Sequence, residues 1–392
     1  MTVNYGAKPV FARFDGLGAA ALSRFSTDPS DFSQTVSQVN ADPSVGAQTV
    51  YKVALTIKLS DGISVKVNLE SKGNSLALQV NSSARMSAAD RAALARLANG
   101  FQNAIDGMGN AVQPDFDGLL QYDPSLVSSI DLQATTQANG ALVQKQTFHA
   151  DRTTRSFSAD GPDGQVNISV DLRQQAIMGN AQRRKAGLDA YLKQFQEAGA
   201  RGHANGATLA TFTAAFQQLT YQPSSETSVS SLPINLSDDD HALLSALPDF
   251  NASMTDTPTS PNPMRPGERD TFSYQVSQQT LVGGRDQANR AISQHRHAHL
   301  EASFHEPLTA SPLALDDTRA SQNYYFKHVS EDRVSDTRIS YQNGLMIGAT
   351  ADEHVSRSTQ VLKYVMGILT EDSTTPESSD TRRDLLTQPR LG

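Results

Sequence analysis

Residues 49–82 read TVYKVALTIKLSDGISVKVNLESKGNSLALQVNS. Tyr51, Val53, Leu55, Ile57 and Leu59 stand at every second position, with mostly polar residues between them. The pattern repeats in Ile63, Val65, Val67 and Leu69 after Asp61-Gly62, and again in Leu76, Leu78 and Val80 after Lys72-Gly73-Asn74. Successive side chains of a strand point to opposite faces. Period two over three runs joined by turn residues therefore predicts a three-stranded antiparallel meander with one apolar face. That face needs a cover. Ser87-Ala88-Ala89-Asp90 has the spacing of a capping box. Leu94, Leu97, Phe101, Ile105 and Met108 then fall on one helical stripe, which Gly107 and Gly109 bring to an end. The predicted helix lies on the meander.

Further alternation follows in Ile130, Leu132 and Ala134, and in Val166, Ile168, Val170 and Leu172. Asn139-Gly140 is a strong two-residue hairpin signal between them. Asp160 to Gly164 has acids in a loop but lacks the order of a calcium-binding hand, so it reads as a turn. A helix over about 175–198 is expected from Leu188, Leu192 and Phe195, and another from Leu209, Phe212, Phe216 and Leu219. Residues 48–221 thus read as one α+β domain, after a loosely ordered leader over 1–47.

Residues 222–270 are rich in Ser, Thr and Pro and read as a linker. One short helix interrupts it, where Ser237 precedes Asp238-Asp239-Asp240. Residues 271–370 return to alternation, led by Phe272, Tyr274 and Val276, with a second hairpin signal at Asn343-Gly344. This β-rich region either folds alone or extends the first sheet. Residues 371–392 are polar and read as a mobile tail. The expected fold class is α+β: antiparallel β-meanders covered by helices, then a Ser/Pro/Thr-rich linker, then a mostly antiparallel β region.

Composition narrows the function classes. The chain has 392 residues, 38% hydrophobic and 19% charged, and a net charge of -8. The negative balance argues against nucleic-acid binding. The absence of Cys excludes disulfides, thiolate metal sites and cysteine nucleophiles. No apolar run approaches 20 residues, so no transmembrane segment is expected. Lys8, Arg13 and Asp15 interrupt the N-terminal stretch. The reading is then a cytoplasmic protein, or one exported by a route without a cleaved signal peptide.

The most unusual cluster is His295, His297 and His299, followed by Glu301 and His305. On a strand all five share one face. Two imidazoles of His-x-His can share a Zn²⁺ when a neighbouring strand brings a third ligand, and His328 or His354 is a candidate. The competing reading is a solvated polar face that is rich in histidine. A third is a pH sensor, since nine His on a background of -8 would carry the net charge through zero if all were protonated. Asp238 to Asp240 with His241 read as helix-capping acids rather than a carboxylate–imidazole site. Walker, G-x-S-x-G and H-E-x-x-H patterns are absent. The expectation is a non-enzymatic interaction or structural protein, bacterial in origin, with protein partners and no cofactor. The alternative is a metal-binding protein or metal-dependent enzyme using the His row.

Overall fold

The meander over residues 49–82 forms as its alternation requires, and it anchors the first of two units. A computed structural model describes residues 12–28, 30–36, 49–73, 75–109, 114–220 and 234–386. In chain order the strands are β1 Phe32–Val36, β2 Thr49–Leu59, β3 Ser64–Lys72, β4 Ser75–Ser82, β5 Val127–Ala138, β6 Ala141–Asp151, β7 Thr154–Gly161, β8 Gly164–Asp171, β9 Asp249–Asp256, β10 Thr271–Gly284, β11 Arg290–Pro307, β12 Tyr324–Gln342, β13 Leu345–Val365 and β14 Ile368–Asp384. The α-helices are α1 Leu17–Ser23, α2 Ala88–Arg96, α3 Ala98–Gly109, α4 Asp117–Leu120, α5 Ala181–Gly202, α6 Gly206–Thr220 and α7 Asp238–Leu243. The protein is mostly antiparallel β-sheet with some helices. The first unit holds Met1–Pro162, Val166–Ser169 and Ala210–Tyr221; the second holds Asp163–Gln165, Val170–Leu209 and Gln222–Gly392. Residues 170–209, read from the sequence with the first domain, cluster with the second.

In the first unit, β1 pairs with β4, β4 with β3, β3 with β2, β2 with β5, β5 with β6 and β6 with β7, all antiparallel. Val53, Leu55, Ile57 and Leu59 of β2 and Val65, Val67 and Leu69 of β3 are buried. Each such side chain removed from water contributes about 1.5–3 kcal/mol. The helical stripe Leu94, Leu97, Phe101, Ile105 and Met108 is buried too. The expected single helix is two: α2 ends at Arg96, and α3 starts at Ala98. Ser87 and Asp90 close the capping box reciprocally. Asn139 and Gly140 take φ of 52° and 80°, which turns β5 into β6. A Cβ placed on Gly100 would lie 2.4 Å from the backbone of Gly118, so α3 and α4 touch through two residues without side chains. Within the leader, α1 is formed and packs Leu22 into the core. Asp42-Pro43, Asn74 and the segment 221–233 lie outside the described residues.

In the second unit, β9 pairs with β10, β10 with β11, β11 with β12, β12 with β13 and β13 with β14, again antiparallel. Helix α5 buries Leu188, Tyr191 and Phe195. Tyr191 meets the Phe250 ring edge-on at 5.0 Å, and Phe195 meets Tyr274 at 6.0 Å. A Cβ on Gly202 would come within 2.7 Å of the Phe272 ring, so a glycine lets the helix approach β10. The region read as linker holds β9, whose Phe250, Ala252 and Met254 are buried at period two. Asn262, also in that region, is fully buried, and its amide donates to Gln322 Oε1 at 2.8 Å and to Tyr324 at 2.9 Å. Residues 371–384, read as tail, belong to β14. Ser, Thr and charged residues with no apolar period can be a strand when a neighbour completes the hydrogen-bond ladder; residues 387–392 lie outside the described residues.

Candidate functional site

The second unit carries the cluster singled out in the sequence, on four long strands. β11 to β14 contain 18, 19, 21 and 17 residues, well beyond the usual 3–10. Along β11 the even-numbered Ile292, Gln294, Ala298, Leu300, Ala302 and Phe304 are buried, whereas His295 and Glu301 are exposed. Strand alternation thus puts His295, His297, His299 and Glu301 on the more open face.

Register decides what the imidazoles meet. His295 lies opposite Asp336, and His299 opposite Asp332. His295 Nδ1 is 3.0 Å from Asp336 Oδ1. His297 Nε2 and His299 Nδ1 approach the same oxygen, Asp332 Oδ2, at 3.0 and 3.2 Å. The hydrogen bond from His297 is the main reason that the Asp332 carboxyl sits below its ordinary value. His354, offered above as a third ligand, lies opposite Val334 and turns to Asp380 at 2.6 Å. The His328 ring stands nearly perpendicular to that of Phe326, with centroids 4.7 Å apart. Glu301 faces Ser330 in the register. Among the described residues, no group of three His, Asp or Glu side chains has the arrangement of a metal site.

His305 shares the parity of the row but not its surroundings. Its side chain is fully buried, with Nδ1 2.6 Å from Asp270 and Nε2 3.3 Å from Glu268. It packs against Tyr324 and Phe326. Burial works to lower its pKa, but the hydrogen bonds to Asp270 and Glu268 prevail and the pKa is raised. Tyr324 donates to Glu268 at 2.6 Å, and burial pushes that phenol upward. The five residues therefore divide into an exposed row and a buried carboxylate–imidazole–phenol cluster.

Charges continue across the open face. Arg338 Nη1 reaches Asp352 at 3.1 Å, and Arg382 Nε lies 3.5 Å from the same carboxylate. On the opposite face Glu331 is buried between two guanidinium groups, Arg201 Nε at 2.9 Å and Arg357 Nη2 at 2.8 Å. No sequence signal marked that triad, because its members lie on three elements. Asp240 behaves as the capping reading expects: its carboxylate closes the box with Ser237. It also takes hydrogen bonds from Arg290 at 2.8 Å and Tyr341 at 2.7 Å. His241 turns away from those acids, with Nε2 2.9 Å from the Ala176 carbonyl.

β14 stands apart. Every one of its 17 residues is exposed. Its pairing is to β13 alone among the described residues. Pro376 lies opposite Ser358. A proline has no N–H for the ladder and is accommodated where its nitrogen faces the open side. The even-numbered residues from 372 to 382 share that orientation and, Pro376 aside, turn N–H groups with no strand partner among the described residues to the open edge. Among the described residues no helix is long and apolar enough to cross a membrane. Comparison with protein families, curated proteins and solved structures finds no match for this chain.

Proposed function

We propose that the chain is a non-enzymatic interaction protein that joins a protein partner through the open edge of β14. The observation that carries this reading is a 17-residue strand, exposed throughout, with one neighbour among the described residues. Unpaired backbone donors and acceptors in a row are a template for a further strand. The side chains are suited to water in the free protein: Glu371, Asp372, Glu377, Asp380, Arg382 and Arg383 are charged. A partner strand would gain main-chain hydrogen bonds for affinity and pair its own charges with these for register. Ion pairs on the exposed face add little to stability one by one, about 0–1 kcal/mol each, so their role lies in orientation and recognition.

The test compares crosslinked complexes formed in cells by the tagged chain and by a Thr374→Pro, Ser378→Pro variant. Both positions turn their amides to the open side, so the variant keeps the β13–β14 ladder and spoils the edge. Loss of specific complexes from the variant alone is the expected result. Complexes recovered unchanged would overturn the reading. So would their absence from both chains together with purely monomeric sedimentation. Stoichiometric Zn in the purified chain, lost on His297→Ala, His299→Ala substitution, would replace it with the metal-binding alternative.

A further inference from the structure

The second unit also contains a cavity of about 300 Å³ that the edge reading does not use. Arg183, Tyr191 and Gln194 of α5 form one wall; His241 of α7 and Gln294 and Arg296 of β11 form much of the rest. No Asp or Glu lines it, in a chain whose net charge is -8.

Most polar groups of the lining are already engaged. Gln194 donates to Tyr274 at 2.8 Å. Gln294 accepts from the Ser245 amide at 3.0 Å and donates to Thr280 at 3.0 Å. His241 faces the Ala176 carbonyl. The two guanidinium groups differ. Arg296 Nη2 donates to Ser335 at 2.8 Å and its guanidinium also meets the Tyr191 phenol, while its Nε is closed off from water and so from the cavity. Neither Arg183 nor Arg296 is in an ion pair among the described residues, although most arginines of β11 to β14 are. Two guanidinium charges with no carboxylate beside them leave this lining positive, a charge that a bound anion would balance. Guanidinium groups match the paired oxygens of a carboxylate or phosphate.

We propose that this cavity binds a small anionic molecule, whose phosphate or carboxylate group is held by Arg183 and Arg296. Its volume lies at the small end of ligand sites, which fits a compact molecule rather than a polymer. Leu243 and Leu244 add apolar wall for the remainder of such a ligand. The proposal is independent of the β14 edge, since it needs neither the strand nor a partner.

Calorimetric titration of the full chain with inorganic phosphate, and separately with citrate, at ionic strength held constant with KCl, tests it. Saturable binding of at least one probe is expected, and the better probe identifies the head group. Arg183→Gln and Arg296→Gln should each weaken that binding by about tenfold or more. Arg183 is half-buried on a helix surface, so its variant remains informative if Arg296→Gln fails to fold. Arg184→Gln, beside the cavity but outside its lining, should leave affinity unchanged. Saturation by neither probe would overturn the proposal. Unchanged affinity in Arg183→Gln would do so as well, and so would an equal loss in Arg184→Gln.

Discussion

Strands β3 and β14 are both antiparallel and both regular, yet almost nothing else about them agrees. β3 buries Val65, Val67 and Leu69 at every second position and pairs with strands on both sides. β14 buries nothing and, among the described residues, pairs on one side. β3 is held by apolar burial with hydrogen bonds added; β14 is held by the ladder to β13 and by cross-strand polar pairs such as Arg382–Asp352 and His354–Asp380. The difference teaches that a strand of this chain can exist without contributing to a core. What β3 spends on stability, β14 leaves available to other molecules.

Substitutions can break or sharpen that contrast. The largest expected effect is in the first unit. Gly100→Ala drives a Cβ into the Gly118 backbone and should cost more than about 3 kcal/mol in urea unfolding, because neither backbone can yield alone. A normal unfolding midpoint would show that α3 and α4 are not in close contact. Next comes Asp240→Asn, which removes the charge facing the buried Arg290 and should cost about 3 kcal/mol. Glu331→Ala should cost somewhat less, about 2 kcal/mol, since Arg201 and Arg357 retain partial access to water. Thermal melts of these two variants rank the buried pairs; equal and negligible losses would contradict the packing described.

A pH dependence compares the two units more gently. His149 lies between Asp131 at 2.7 Å and Asp151 at 3.2 Å in the first unit, and His305 lies between Asp270 and Glu268 in the second. In both, burial opposes the charge but the carboxylates raise the pKa above 6.5. A folded-state pKa above the unfolded value stabilises fully below the unfolded pKa, and the contribution is lost as pH rises through the folded pKa. Unfolding free energy measured upward from about pH 6 should therefore fall. His305→Asn should flatten the slope more than His149→Asn, because its ring is closed to water. A slope unchanged by either would remove both from the account. Smallest of all, Ser373→Ala and Ser379→Ala in β14 should shift stability by no more than about 0.5 kcal/mol.

Legibility from the sequence follows the same division. β2 to β4 and the helical stripe of α2 and α3 could be read because each element carries its own apolar period. β9 has that period in Phe250, Ala252 and Met254, but flanking prolines masked it as linker. β14 has no period at all, and only its neighbour in the sheet reveals it. For the candidate site, strand parity placed His295, His297, His299 and Glu301 on one face. It could not reveal that Asp332 and Asp336 would meet the imidazoles, because those partners stand 33 to 41 residues away in the chain. His305 followed parity but was covered from a segment whose path no local pattern encodes. The Arg183–Arg296 cavity was hidden for the same reason.

Residue-resolved amide hydrogen exchange on the dilute full chain examines the bare-edge strand directly. Odd-numbered amides from 371 to 383 should exchange slowly, since they bond to β13, while the even-numbered amides of 372, 374, 378, 380 and 382 should exchange fast. β3 should be slow at every position. Fast exchange throughout 371–384 would mean that the strand does not form, and uniform protection would mean that its edge is already covered.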